Sequence, residues 1–155
     1  MKDEKYYMKR AYAEAKKAYA IGEVPIGAVL VKDGVIIARA HNEREKKRSA
    51  TAHAEMLCIE KACKRLSDWR LDGCEMFVTL EPCPMCAGAI INARIDRVFF
   101  GAYDQKAGAA ESKFSILNSG ALNWSTEYLG GVMAEECEDL IKNFFNERRV
   151  KNKTC

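Results

Sequence analysis

Two short apolar runs constrain the fold of this chain more than any other feature. Residues 77–80 and 98–100 are apolar at every position but Thr79, without the alternation of a half-exposed strand. Strands of this kind are buried on both faces, so helices must cover the sheet on both sides. The runs therefore predict a layered α/β domain with a central mixed sheet.

Helical spacing and turn signals place the other elements around these strands. The patterns predict helices over residues 3–20, 52–66 (with Thr51 as N-cap), from Pro84 onward and 134–147, and strands over 26–32, 35–41, 75–80, 97–102 and 127–129. Asp33-Gly34 is a strong hairpin signal between the first two strands. Since no linker or repeat interrupts the chain, we expect residues 1–155 to form a single domain.

Charge and cysteine content limit the classes of function. The net charge of +3 permits an anionic partner but does not require one. Basic residues nevertheless cluster at Arg44–Arg48 and again at Arg148 and Arg149. The first residues are charged and no segment is apolar enough to cross a bilayer, so we expect neither a signal peptide nor a membrane span. The seven cysteines, Cys155 included, are therefore expected to be mostly reduced, cytoplasmic thiols.

The stretch LEPCPMCAGA contains a Cys-x-x-Cys pair, Cys83 and Cys86. On its own the pair has three interpretations: a redox disulfide, half of a structural zinc site, or part of a catalytic metal site. His53 is predicted at the start of another helix, and both helix starts are expected at the sheet edge where α/β folds bind ligands. One imidazole and two thiolates suit Zn²⁺, and three protein ligands leave the fourth position open for water, as in catalytic sites.

Glu55 follows His53 by two positions, in the stretch TAHAEM. In mid-helix the two side chains would diverge by roughly 200°, but at the first turn both reach over the open helix end. Glu55 is thus predicted to lie beside a metal-bound water, whose pKa zinc lowers from ~16 toward ~7, and to carry its proton. His-x-Glu followed by Pro-Cys-x-x-Cys is the signature of zinc nucleobase deaminases.

Beyond this signature, nearly the whole chain resembles bacterial tRNA-specific adenosine deaminases. The resemblance is carried by EVPIGAVLV, TAHAEM, LEPCPMCAGA, RVFFGAYDQKAGAA and FFNERR. It implies a three-layer α-β-α fold with a mixed five-stranded sheet of the cytidine deaminase type, and a cytoplasmic homodimer. The implied activity is hydrolytic deamination of adenosine to inosine at the wobble position of a tRNA anticodon, by a zinc-activated water.

The resemblance also implies roles for eight residues. His53, Cys83 and Cys86 would hold zinc, and Glu55 would shuttle protons. Asn42 matches the position that hydrogen-bonds the flipped base, and Asp104 matches a position near the ribose and backbone. Lys106 and Arg149 match basic positions that meet phosphates of the anticodon stem-loop. From the residues alone, Asn42 is equally well a strand-end asparagine, Asp104 a loop acid, and the basic clusters solvated surface.

Two other functions stay open at this point. The stretch KACKRL and the pair Pro84-Met85 are similar to guanine deaminases of the same superfamily, which keeps a free base as a second substrate class. A non-catalytic, zinc-stabilised binding module is the alternative to an enzyme, although an open three-ligand site beside Glu55 favours the enzyme. Many tRNA-specific adenosine deaminases have Asn-His before an acidic residue where this chain has Asn123-Trp124-Ser125. We therefore give less weight to substrate contacts from that loop.

Overall fold

A computed structural model describes residues 2–153 of the chain, which leaves Cys155 outside the described residues. The elements are α1 (Glu4–Ala20), β1 (Gly27–Lys32), β2 (Val35–His41), α2 (Arg44–Lys47), α3 (Ala54–Leu66), β3 (Cys74–Leu80), α4 (Pro84–Asn92), β4 (Arg97–Ala102), β5 (Glu127–Leu129) and α5 (Ala134–Lys153). Within this range no helix is long and apolar enough to cross a membrane. That residues 1–155 form one domain stays a prediction.

The five strands form one mixed sheet in the order β2-β1-β3-β4-β5. β1 runs antiparallel to both β2 and β3, whereas β3, β4 and β5 are parallel to one another. α3 and α4 pack on one face of the sheet, and α1 and α5 pack on the other. This arrangement confirms the predicted three-layer α-β-α fold with a mixed five-stranded sheet.

Successive residues of β3 and β4 point alternately to the two faces of the sheet. Met76 and Val98 belong to the core beneath α3 and α4, and Phe77 and Phe99 belong to the core beneath α1. The rings of Phe77 and Phe99 stack with centroids 4.6 Å apart, which adds about 0.5–1.5 kcal/mol to the gain from burial. The two apolar runs are therefore buried on both faces, as predicted.

The close approach of α1 to β1 depends on small residues on both elements. Ala11 and Ala15 of α1 are fully buried against the sheet. Gly27 begins β1, and a Cβ at this position would overlap the backbone oxygen of Ala11 and the backbone nitrogen of Ala15. The Gly27 N–H donates to Oγ1 of Thr79 at 3.1 Å, which links this contact to β3.

Two predicted helix ends differ from the structure by two residues or more, and one helix was not predicted. α3 begins at Ala54 with His53 as its N-cap, because Thr51 is held in a preceding turn where its hydroxyl meets that of Ser49 at 3.2 Å. α5 continues beyond residue 147 because the residues that follow are mostly good helix formers. The apolar pattern did not predict this part, because it has no face of apolar residues that would pack on the core. The short α2 depends on a distant carboxylate, Glu23, which accepts two of its backbone N–H groups.

Replacing Gly27 with Ala should lower the free energy of unfolding by about 3 kcal/mol, because the added methyl group forces α1 away from β1. Gly88→Ala is the matched control, since a Cβ there meets no atom within 4 Å. In α4 that change should raise the free energy of unfolding by about 0.5–1 kcal/mol. Urea unfolding followed by circular dichroism measures both, and equal effects would contradict direct packing of α1 on Gly27.

Candidate active site

Two helices begin at the carboxyl-terminal edge of the sheet and bring the predicted metal ligands together. His53 is the N-cap of α3, and Cys83 is the N-cap of α4. Pro84 occupies the first position of α4, as predicted, and Cys86 lies at the third, on the same side as the N-cap. Neither N-cap side chain hydrogen-bonds its own helix. The imidazole and the thiols are thus free to face one another.

The three donor atoms have the spacing of a metal site. Nδ1 of His53 lies 3.7 Å from Sγ of Cys83 and 3.5 Å from Sγ of Cys86, and all three atoms lie within 4.8 Å of one another. Tetrahedral zinc, with bonds of about 2.3 Å to sulfur and about 2.0 Å to nitrogen, sets these atoms about 3.5 Å apart. The cluster can therefore bind a metal ion, and its donors and spacing fit zinc.

Hydrogen bonds among the three ligands distribute their protons unequally. The bond from Cys86, together with the bond to His53, lowers the pKa of Cys83 to about 4. The same contact with Cys83, and burial, raise the pKa of Cys86. The bond to Cys83 also raises the pKa of His53. A metal ion would displace the protons that the three groups share, because thiolates and neutral imidazole are the binding forms.

Glu55 lies in the first turn of α3 and is only 4% exposed. Its carboxyl group lies close enough to Cys83, His53 and Cys86 for their charges and polar groups to act on it, although Glu55 is not a member of the three-donor cluster. Burial raises the pKa of Glu55 to about 7. A carboxyl group with a pKa near neutrality can both accept and donate a proton, which is what general acid–base catalysis requires.

Asn42 directly follows β2 and lies beside the segment that leads into α3. The N–H of Glu43 donates to the carbonyl of Ala52 at 3.0 Å, which joins the two segments one residue before His53. Asn42 is 3% exposed, and its Nδ2 donates to the carbonyl of Val24 at 3.5 Å. Among the described residues, Oδ1 of Asn42 has no hydrogen-bond partner. A buried acceptor left unpaired is costly, so it marks a position where a ligand can donate a hydrogen bond.

The loop after β4 carries Asp104 and Lys106 to the same edge of the sheet. The N–H of Ala109 donates to the carbonyl of Pro82 at 2.7 Å, so the loop lies directly beside the start of α4. Oδ1 of Asp104 accepts the N–H groups of Lys106 at 3.0 Å and Ala107 at 3.2 Å. The Asp104 carboxylate thus shapes the turn that presents Lys106.

Arg149 lies on α5, on the sheet face opposite α3, and does not belong to the metal cluster. It lines a groove of about 640 Å³ together with Lys106, Ile141, Lys142, Phe145, Arg148 and Asn152. A neighbouring cavity of about 560 Å³ shares four of these residues and extends to Leu80 and Asp104 at the strand ends. We call these two connected cavities the α5 groove. It brings Lys106 and Arg149 together along one path toward the edge of the sheet.

Two buried carboxylates at the site were not predicted. Glu23 is 2% exposed and accepts the N–H groups of Glu45 at 3.2 Å and Lys46 at 2.8 Å, which holds the basic helix α2. Glu81 is 1% exposed and directly precedes Pro82. Each interrupts an otherwise apolar stretch close to a proline, and that pattern is the signal by which the sequence could have indicated them.

The unusual Asn123-Trp124-Ser125 segment lies away from these residues. Nε1 of Trp124 donates to the carbonyl of Ile95 at 2.9 Å. Ile95 precedes β4, at the opposite edge of the sheet from the cysteines. The departure therefore does not alter the metal cluster.

A three-layer domain in which one histidine, two cysteines and a nearby glutamate meet at two helix starts is a nucleobase deaminase by class. The model of the MafB19-like deaminase family matches residues 2–149. The tRNA-specific adenosine deaminase of Bacillus subtilis (strain 168) is 52% identical over 153 residues, covering 99% of this chain and 95% of that protein. The enzyme of the same name from Aquifex aeolicus (strain VF5) is 46% identical, covering 93% of this chain and 95% of that protein.

Two solved structures share the fold of this chain. A structure from a study of A-to-I editing by tRNA:A34 deaminases at the wobble position of transfer RNA has a TM-score of 0.84 and 42% identity, and covers 87% of this chain and 98% of that chain. A guanine deaminase from Bacillus subtilis has a TM-score of 0.65 and 42% identity, and covers 74% of this chain and 73% of that chain. The chain belongs to the family of bacterial tRNA-specific adenosine deaminases.

Replacing Cys86 with Ala should weaken metal binding, because only two of the three donors remain. We expect metal affinity to fall by more than the roughly 10- to 100-fold that follows loss of a ligand's hydrogen-bond partner. Cys58→Ala is the matched control, since Cys58 is as deeply buried, lies on α3 outside the donor cluster, and donates its thiol hydrogen to the carbonyl of Ala38. Mass spectrometric metal analysis after dialysis against a chelator measures both variants. Equal metal content in the two would contradict the assignment of Cys86 as a ligand.

Proposed function

We propose that this chain is a zinc-dependent hydrolase that converts adenosine to inosine at the wobble position of a tRNA anticodon. The observation that carries the proposal is the position of the buried Glu55 carboxyl group in the first turn of α3, beside a cluster of three metal donors. His53, Cys83 and Cys86 would hold the zinc ion. Zinc would supply Lewis acidity there, which lowers the pKa of a bound water to about 7.

Glu55 carries the protons that the hydrolysis must move. The oxygen of water bonds to C6 of adenine, and the C6–N6 bond then breaks to release ammonia. Glu55 accepts a proton from the attacking water and delivers it to the ring nitrogen N1. It then takes the remaining hydroxyl proton to the departing amino group, which leaves inosine. A pKa of about 7, set by burial, suits both the acceptance and the return of a proton near neutral pH.

Asn42 contributes to binding the flipped nucleoside. Its amide nitrogen is engaged by the carbonyl of Val24, whereas its Oδ1 is a buried acceptor without a partner in the described part of the chain. An N–H or O–H group of the bound nucleoside supplies the missing hydrogen bond. A nucleoside without that donor would leave the acceptor unpaired, which is the usual physical basis of strong selectivity.

The α5 groove supports an RNA substrate rather than a free base. Lys106, Arg148 and Arg149 line it as cations, whereas Lys142 is paired with Glu138 at 3.0 Å. Phe145 exposes 42% of its surface beside them. Cations that meet phosphates and an aromatic ring that stacks on a base are the usual means of binding single-stranded RNA. Asp104 lies near the ribose and backbone, where the groove reaches the end of β4.

The basic helix α2 offers a second positive surface on the other side of the site. Arg44 is close enough for its charge to act against the charged form of His53. An anticodon loop inserted between α2 and the α5 groove would meet cations on both sides. Binding in a loop also reduces the cost of base flipping, which is a few kcal/mol in a duplex. The homodimer and the cytoplasmic location stay predictions of the resemblance.

Free guanine is the second candidate substrate, because a guanine deaminase of Bacillus subtilis shares the fold at 42% identity. A free base has no phosphates to occupy the α5 groove. The structure from the study of tRNA:A34 deaminases also has the higher TM-score, 0.84 against 0.65. We therefore place guanine second.

The test is to incubate the zinc-loaded protein separately with an anticodon stem-loop that has adenosine at the wobble position, and with guanine, adenosine and cytidine. Inosine should form only in the stem-loop, as measured by nuclease digestion and mass spectrometry. Glu55→Gln should reduce kcat by about 10²- to 10⁴-fold, because the carboxamide cannot carry a proton. Deamination of guanine without inosine in the stem-loop would contradict the proposal.

Zinc content and circular dichroism of the Glu55→Gln variant are the controls for this test. Both should equal those of the native protein, because Glu55 is not a metal ligand and Gln has nearly the same volume. Loss of zinc or of fold in this variant would contradict the role of Glu55 as a proton carrier.

Replacing Lys106 or Arg149 with Ala should weaken binding of the stem-loop and reduce the slope of log K against log salt by about 0.7 for each phosphate that is no longer neutralised. Arg97→Ala is the matched control, since it removes the same charge at the opposite edge of the sheet, where Arg97 pairs with Glu75 and Glu127. Fluorescence anisotropy at several salt concentrations measures the slopes. Equal slopes in all three variants would argue against phosphate binding in the α5 groove.

A further inference from the structure

Glu81 joins the metal site to the loop that carries Asp104 and Lys106. We propose that Glu81 is a positioning residue, whose carboxylate fixes the loop of residues 104–112 at the distance from the metal site that the RNA substrate requires. The inference rests on the proposed function in that it takes Asp104 and Lys106 as substrate contacts. Neither the deamination chemistry nor the metal-ligand set includes Glu81.

The Glu81 carboxylate accepts five hydrogen bonds, and all of them come from this one loop. Oε1 accepts the N–H of Asp104 at 3.1 Å and the hydroxyl of Ser112 at 2.5 Å. Oε2 accepts the N–H groups of Ala110 at 3.1 Å, Glu111 at 2.9 Å and Ser112 at 3.0 Å. Glu81 is 1% exposed, so its charge is stabilised inside the protein chiefly by these donors. Hydrogen bonds to a charged acceptor are about twice as strong as neutral ones.

The loop closes around this carboxylate without spare room. A Cβ at Gly108 would overlap the carboxyl group of Glu81 and would also approach the carbonyl of Asp104. The N–H of Gly108 donates to that same carbonyl at 2.9 Å, which tightens the turn. A loop shaped this closely around a buried charge has one position rather than several.

The other end of Glu81 is fixed to the metal site by the backbone. Glu81 directly precedes Pro82 and the ligand Cys83, and its N–H donates to the carbonyl of Ala102 at 2.9 Å. The N–H of Ala109 donates to the carbonyl of Pro82 at 2.7 Å. The loop is therefore attached to the strand end on both sides of the carboxylate. Since the N–H of Asp104 is one of the five donors, Glu81 sets the place of Asp104 directly.

Neutralising the side chain should disturb this arrangement more than its small change in shape suggests. In Glu81→Gln the new NH₂ group faces either the two donors now on Oε1 or the three now on Oε2. Donors would then oppose donors in either orientation of the amide, and buried N–H groups of the loop would lose their acceptor. The loop should shift, whereas the metal ligands, which lie on α3 and α4, should stay in place.

The experiment compares zinc-loaded native protein with the Glu81→Gln variant. Hydrogen–deuterium exchange should be about tenfold or more faster in peptides of residues 104–112, since buried hydrogen bonds to a charge are removed. KM for the anticodon stem-loop should rise about tenfold while kcat falls less than about threefold, because substrate placement and not proton transfer is affected. Zinc content should be unchanged.

Thr126→Val is the matched control for a purely structural effect. Thr126 is fully buried and its hydroxyl donates to the carbonyl of Ile95 at 2.8 Å, at the opposite edge of the sheet. This variant should lose stability, with native exchange in residues 104–112 and native KM. Ser112→Ala removes a single donor to Glu81 and should raise KM by about threefold, so it tests the inference even if Glu81→Gln does not fold.

Native exchange and native KM in Glu81→Gln would overturn the inference. Loss of zinc in this variant would also overturn the inference, because the effect would then lie at the metal site. An unchanged KM in a variant that is only less stable would overturn it as well. If the native protein forms no inosine in the stem-loop, the proposed function fails. In that case faster exchange of residues 104–112 in Glu81→Gln still supports the inference that Glu81 fixes the position of the loop. Native exchange in the same residues would contradict that inference.

Discussion

The meeting of two helix N-termini at one edge of the sheet is the interaction on which the site depends. The N-cap residues His53 and Cys83 leave their own helices uncapped and turn their side chains toward each other. The positive ends of both helix dipoles point at this place, which favours the thiolate form of cysteine. A metal ion bound here would replace the protons that these groups share. Glu55 lies in the first turn of α3, next to the same space.

The direction of the strands makes this meeting possible. β2 and β3 both run antiparallel to β1, so their carboxyl ends and the following helices lie at the same edge. β4 is parallel to β3 and brings its loop there as well. α5 packs on the opposite face, and its groove reaches that edge from the other side. Catalytic groups from one face and cations from the other thus converge, which suits a substrate with both a base and a charged backbone.

Local patterns were sufficient for most of the fold and for the metal donors. The apolar runs of β3 and β4 identify strands buried on both faces because period and hydrophobicity act within a few residues. The predicted N-cap Thr51 was wrong because the choice of cap depends on the turn at Ser49, which the spacing of apolar residues does not reveal. α2 was not predicted, because two of its backbone N–H groups donate hydrogen bonds to Glu23, 22 and 23 residues earlier in the chain.

The sequence by itself determined the identities of the donors and the order of the elements, since His-x-Glu and Pro-Cys-x-x-Cys are short patterns with local geometry. Only the tertiary structure decided which atoms meet. The 3.5 Å approach of Nδ1 of His53 to Sγ of Cys86 joins residues 33 positions apart, and the unpaired Oδ1 of Asn42 is visible only when its surroundings are known. The five hydrogen bonds from residues 104–112 to Glu81 likewise join distant parts of the sequence. Contacts between distant segments depend on how helices pack on the sheet, and that packing is a property of the whole chain.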